Sequence, residues 1–212
     1  MAGYHVHEAL RQVRELRQRI LESQMFTGYS GIARALGGLA AVGAAVALSR
    51  PWFPQTERGH IAGWLVTGAL AAAVNYAGLF HWFLTSREAK RDIRRLMPAI
   101  DPLPPLTVGA LLTVALIGRG AADALPGMWM CMYGLTNLSS RRALPASIWV
   151  LGCYYVAAGA LFLFVAATAV VNPWPMGLVF GAGELAGGAI FAVNRFPNGI
   201  RPLAAAHSED AR

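Results

Sequence analysis

Charged residues and cysteines are both scarce in this sequence. Of its 212 residues, only 14% are Asp, Glu, Lys or Arg, against about 25% in an average soluble domain. Together with 56% hydrophobic residues, this shortage excludes an ordinary soluble globule and also a disordered chain, which has few apolar residues and much net charge. Two cysteines are too few for a disulfide-rich secreted module. What remains is a polytopic helical membrane protein.

Catalytic and cofactor-binding motifs are also missing. The sequence has no HExxH, GxSxG or P-loop pattern and no CxxC pair. Met128, Cys131 and Met132 share one helix face and offer soft ligands that suit Cu(I), but methionine in a helix bundle more often fills gaps. We therefore expect no enzyme activity, no cofactor and no metal site.

Six apolar runs follow one another along the chain. They occupy residues 31–49, 61–84, 103–118, 125–139, 146–171 and 175–194. A helix needs about 20 residues to cross the bilayer core, so the third and fourth runs either barely span or form a re-entrant hairpin. The sequence predicts an all-α bundle over 26–195, with a cytoplasmic amphipathic helix in 1–25 and a flexible tail over 196–212.

The basic residues indicate the orientation of this bundle. If the N-terminus is cytoplasmic, fifteen of the eighteen Lys and Arg residues fall inside, and only Arg50, Arg58 and Arg119 fall outside. Such a bias predicts that both termini are cytoplasmic. The tryptophans agree with this topology, since all six fall near predicted span ends, as an aromatic belt does. They are Trp52, Trp64, Trp82, Trp129, Trp149 and Trp174.

Residues 4–24 show the apolar spacing of a packed helix. Alternate steps of three and four separate the apolar positions, which favours a coiled-coil seam or a helix packed on a partner. We weigh three settings for this helix: on the inner leaflet, against its own copy or a soluble partner, or on this protein's own inside loops. The predicted docking residues are Val6, Ala9, Val13, Leu16 and Ile20.

A second basic amphipathic helix is predicted at residues 86–97, "SREAKRDIRRLM". Five cations over nine positions suit nucleic acid in principle, but no helix-turn-helix or aromatic-studded sheet accompanies them. We therefore expect an inside loop that orients the protein and contacts anionic lipid headgroups, with no nucleic-acid partner. The headgroup-contacting residues are Arg87, Lys90, Arg91, Arg94 and Arg95.

A few polar residues fall at predicted membrane depth. Glu184 lies in the middle of the sixth run, and an ionisable residue there is a functional hypothesis by default. Arg34, Asn75, His81 and Asn137 fall in the inner half of other runs. These five residues either converge on one site that handles protons or cations, or each is satisfied separately by a neighbouring helix.

The sixth run is also rich in glycine. Gly177 and Gly181 are spaced as GxxxG, and so are Gly183 and Gly187. Small residues at this spacing let helix backbones approach closely. We expect this helix to be central to the bundle or to a dimer; the alternative is that the glycines leave space for a substrate beside Glu184.

Two segments carry a resemblance to other membrane proteins. "FTGYSGIARALGGLAA" at 26–41 and "LPGMWMCMYGLTNLSSRRALP" at 125–145 resemble a family of small bacterial polytopic inner-membrane proteins with no characterised activity. The resemblance implies a multi-pass inner-membrane protein.

Two functional hypotheses follow. In the first, the chain is a non-catalytic membrane subunit or regulator that docks a partner or its own copy through the N-terminal helix and the sixth segment. In the second, it is a small oligomeric transporter or channel that moves protons or cations through Glu184 and the inner polar residues.

Overall fold

The computed structural model describes residues 30–85, 100–140, 144–145, 147–164 and 169–195. Within these ranges it is all helical, with six α-helices and a short 3₁₀ helix at Ala122–Ala124. The predicted helices at 4–24 and 86–97, with their docking and headgroup residues, and the predicted tail at 196–212 lie outside the described residues. The α-helices are α1 (Gly31–Leu48), α2 (Glu57–Thr85), α3 (Leu103–Gly118), α4 (Leu125–Ser139), α5 (Ile148–Phe164) and α6 (Trp174–Arg195).

Three of these helices have the length and apolar composition to cross a membrane. They are α1 with 18 residues, α2 with 29, and the 20 residues Trp174–Val193 of α6. Helices α3 and α5 are apolar but shorter, with 16 and 17 residues, and α4 has 15. The all-α prediction is confirmed, and the three long helices support a membrane-embedded protein.

Much apolar side-chain surface faces outward. In the 29-residue α2 only His60, Ile61, Trp64 and Leu79 are buried, while leucine, valine and phenylalanine side chains along the rest of the helix are exposed. Contiguous exposed apolar surface on this scale does not suit water. It is what a helix presents to lipid.

The helix ends follow from local sequence. The Ser30 hydroxyl caps α1 by accepting a hydrogen bond from the Ala33 N–H at 3.4 Å. Helices α3 and α4 have proline in their first turn, where the missing N–H costs nothing. Just after α3 lies Gly120, whose φ of +68° is readily adopted only by glycine. The next N–H, from Ala121, then reaches back to the Leu116 carbonyl at 2.9 Å, which closes a Schellman turn.

Two closely packed antiparallel helix pairs form the body of the fold, α1 with α6 and α4 with α5. Facing glycines permit the close approach in both pairs. A methyl group placed on Gly188 of α6 would lie 2.8 Å from the carbonyl oxygen of Gly31 in α1, and one on Gly134 of α4 would lie 2.8 Å from the carbonyl oxygen of Gly152 in α5. A side chain at these positions would push the helices apart.

The remaining contacts attach the other two helices and connect the two pairs. Helix α2 packs on α1, α3 packs on α4, and both α4 and α5 contact α6. One of the six tryptophans, Trp64, is buried in a cluster with Ala41, Ala45 and Met176. It packs against α1 because α2 contacts α1.

Candidate intramembrane polar site

A buried ion pair joins α1 to α6. The Arg34 Nε donates to Glu184 Oε2 at 3.1 Å, and Arg34 Nη2 donates to Glu184 Oε1 at 3.0 Å. Both residues are buried, with 7% and 6% of their surface exposed. Two parallel charge-assisted bonds fix the relative orientation of both groups more firmly than one bond does.

Hydrogen bonds from α4 and α5 complete the network around this pair. The hydroxyls of Tyr133 and Tyr155 donate to Glu184 Oε1 at 2.9 and 3.1 Å. Asn137 accepts from Arg34 Nη2 at 2.8 Å, and its own Nδ2 donates to the Tyr133 carbonyl at 2.9 Å. The carboxylate thus accepts four hydrogen bonds, and the side chains come from four helices.

The electrostatics of the site follow from this arrangement. A carboxylate and a guanidinium buried together have no net charge, and their attraction offsets part of the desolvation penalty that each would carry alone. The two tyrosine hydroxyls both donate to Oε1, the carboxylate oxygen that also accepts from Arg34 Nη2. A buried hydrogen-bond network that draws on four helices favours the one arrangement of the helices that supply it.

Glycine makes room for the buried side chains on α6. A methyl group on Gly187 would lie 2.5 Å from Arg34 Nε, and one on Gly183 would overlap the Tyr155 hydroxyl. Gly177 and Gly181 instead face Ala45 and Val42 of α1. The four glycines picked out by their spacing therefore pack within this chain, against α1 and α5.

The five predicted polar residues separate into two groups. Arg34, Asn137 and Glu184 meet in the network, whereas Asn75 and His81 take no part in it. Asn75 Nδ2 donates to the carbonyl of Ala71 at 3.0 Å, within its own helix. His81 is exposed near the end of α2. Neither side chain forms a hydrogen bond with the ion pair; both lie on α2, which packs on α1.

Sequence reasoning missed both tyrosines. In an apolar run, tyrosines are usually interpreted as part of the apolar core. In the structure, the rings of Tyr133 and Tyr155 do pack edge to face, with their centroids 4.9 Å apart. A usable signal exists, because a buried tyrosine hydroxyl needs a hydrogen-bond partner. Tyr133 also lies one helical turn before Asn137, on the same face of α4.

A cavity of about 440 Å³ borders the network. Residues of α1, α2, α3, α4 and α6 line it. Arg34, Asn137 and Glu184 line it together with Asn75, so the cavity is the place where Asn75 meets the other three predicted residues. Most of the remaining lining is apolar.

In the described part of the chain, no three His, Cys, Asp or Glu side chains lie close enough to hold a metal ion. Cys131 donates weakly to the Val156 carbonyl at 3.8 Å, and Met128 is buried in an apolar cluster. The Met–Cys–Met face of α4 is thus used for packing.

Comparison with known proteins adds nothing to these observations: no protein-family model, no curated protein and no solved structure matches the chain. The resemblance of segments 26–41 and 125–145 to a bacterial membrane family stays a prediction from the sequence.

Proposed function

We propose that this chain is a multi-pass protein of a bacterial inner membrane, with about six spans and both termini in the cytoplasm, that acts as a non-catalytic subunit or regulator. Three long apolar helices and the one-sided distribution of its basic residues support this topology. In it, the short helices α3 and α4 form a tightly turned pair around Gly120.

The bonding of Glu184 carries the functional part of the proposal. An intramembrane carboxylate that moves protons or cations must be open to exchange with a path. Glu184 instead accepts four hydrogen bonds, and its charge is matched by Arg34. This bonding supports a role in holding helices together.

Docking then falls to the N-terminal helix. The glycines of α6 already hold α1 and α5 of the same chain, so they are not free to hold a second copy in the same way. The apolar positions in residues 4–24 are the remaining candidates for binding a cytoplasmic partner, another membrane protein or a second copy of this chain.

A small oligomeric transporter for protons or cations is the alternative, and one observation favours it. Glu184 and Asn75 both line the cavity, as a path for ions requires. The matched charge of Arg34 works against this alternative, because it cancels the attraction that Glu184 would offer to a cation.

Proton flux into proteoliposomes separates the two functions. With the full-length protein reconstituted, we expect flux equal to that of empty liposomes, unchanged by Glu184→Gln or by the control His81→Gln at an exposed site. Flux above empty liposomes that Glu184→Gln alone abolishes would replace the proposal by the transporter.

Co-purification tests the docking role. Deleting residues 1–24 is expected to release any partner or second copy that co-purifies with the full-length protein, whereas deleting the tail residues 202–212 leaves it bound. A complex that survives the first deletion contradicts docking through this helix.

A further inference from the structure

The cavity beside the polar network has the size and composition of a ligand site. Its volume of about 440 Å³ falls within the roughly 300–1,000 Å³ of small-molecule sites. Trp64 and Trp129 flank one part of it, and Leu106 and Phe180 line others. Such sites combine apolar and aromatic walls with a few polar groups that orient the ligand.

Two polar side chains that line the cavity have unused hydrogen-bonding capacity. Arg34 uses Nε and Nη2 for Glu184 and Asn137, and its Nη1 forms no hydrogen bond within the described residues. One side-chain N–H of Asn75 donates to a carbonyl of its own helix, and the Asn75 Oδ1 accepts no hydrogen bond from the described residues. Both side chains line the cavity. Two donors from Arg34 and the Asn75 amide are therefore available to a ligand.

The charge balance selects the kind of ligand. Arg34 and Glu184 neutralise each other at 3.0 Å, so the described side chains that line the cavity carry no net charge. A charged headgroup placed there would lack a counter-charge in an apolar surrounding, which is costly. An uncharged carbonyl or hydroxyl oxygen can accept from Arg34 Nη1 without that penalty.

We propose that this cavity binds one uncharged amphiphile, with a carbonyl or hydroxyl oxygen against Arg34 and Asn75 and its apolar body between α2 and α3. The membrane itself supplies molecules of this chemistry. The inference concerns a ligand of the bundle and stands independently of docking by the N-terminal helix.

Two glycines of α2 provide a matched pair of variants. Gly68 lines the cavity and Gly78 does not, and a Cβ atom added at either position meets nothing within 4 Å. Gly68→Phe is therefore expected to place a ring in the cavity with its Cβ in open space, and Gly78→Phe adds the same bulk on the same helix elsewhere.

Equilibrium binding of radiolabelled monoolein to the full-length protein in phosphatidylcholine nanodiscs tests the proposal. We expect saturable binding of about one molecule per chain, at least tenfold weaker in Gly68→Phe and unchanged in Gly78→Phe. Asn75→Leu should weaken binding about fivefold, the change that one hydrogen bond of about 1 kcal/mol supports. Oleate, with the same tail and an anionic head, should bind at least tenfold more weakly.

Three results would overturn the proposal. Non-saturable uptake equal to that of empty nanodiscs would mean simple partitioning into lipid. Binding that Gly68→Phe leaves intact would place the ligand elsewhere. Oleate binding as tightly as monoolein would contradict the charge argument.

Discussion

Removing Arg34 should destabilise the protein, and removing Glu184 in the same chain should restore part of the loss. Arg34→Met leaves the Glu184 carboxylate buried without its two charge-assisted bonds. Breaking one side of a buried ion pair costs about 3–5 kcal/mol. Glu184→Gln leaves the guanidinium unpaired in the same way and should cost a similar amount.

The double variant Arg34→Met/Glu184→Gln buries no charge. The amide oxygen that the second substitution introduces can still accept from the hydroxyls of Tyr133 and Tyr155, which in the wild type donate to Glu184 Oε1. The remaining loss is that of neutral hydrogen bonds, about 1–3 kcal/mol. We therefore expect the double variant to be more stable than either single variant, with a coupling energy of about 3 kcal/mol or more.

Unfolding by increasing SDS fraction in mixed micelles measures these free energies. His81→Gln provides the control, because His81 is exposed and outside the network, and such surface changes stay within about 0.5 kcal/mol. Losses from the two single variants that add within about 0.5 kcal/mol in the double variant would refute the argument that the pair is coupled.

Two further predictions concern helix contacts and are checked by thermal unfolding in detergent. Gly134→Ala should destabilise the protein by about 1–3 kcal/mol, because its methyl group would lie 2.8 Å from a backbone oxygen of α5. The matched Gly43→Ala, in open space, should be neutral or up to about 1 kcal/mol stabilising. Equal losses of stability in the two variants would contradict the close packing. Trp129→Phe removes the 2.8 Å hydrogen bond from the indole N–H to the Thr113 hydroxyl and should cost about 1 kcal/mol of stability. Trp149→Phe at an exposed site should cost less than half as much. The reverse order would be evidence against a stabilising hydrogen bond between α3 and α4.

The ion pair could be anticipated from the sequence in part. A carboxylate at membrane depth needs a partner, and Arg34 and Asn137 are predicted in the inner half of other runs. Depth alone does not determine convergence, however. Asn75 has a suitable depth but lies on α2, and its own helix satisfies its N–H through the Ala71 carbonyl.

From the sequence, close packing through glycines is predicted only for α6, because the GxxxG motif is defined by glycines four residues apart. The facing glycines in the structure are seven residues apart on both helices of each pair. Two turns of helix return a residue to the same face, so this spacing also produces a small-residue stripe. The facing pairs are Gly31 with Gly188, Gly38 with Gly181, Gly127 with Gly159, and Gly134 with Gly152.

The tyrosine hydroxyls could not be assigned from the sequence, because the partner of each lies on another helix. Tyr155 is fully buried, and it reaches Glu184 only because Gly183 leaves space beside it. That coincidence depends on the rotation of α5 against α6, which apolar spacing on either helix does not determine.

The charge state of Glu184 tests the central claim, a paired carboxylate that ties helices together, most directly. An infrared difference spectrum between the wild-type protein and Glu184→Gln, recorded in lipid bilayers near neutral pH, reports it, with the exposed Glu57 and its variant Glu57→Gln as reference. We predict that Glu184→Gln removes an ionised carboxylate band, displaced from that of Glu57 by its four hydrogen bonds. Loss of a protonated carboxylic acid band instead would contradict the ion pair.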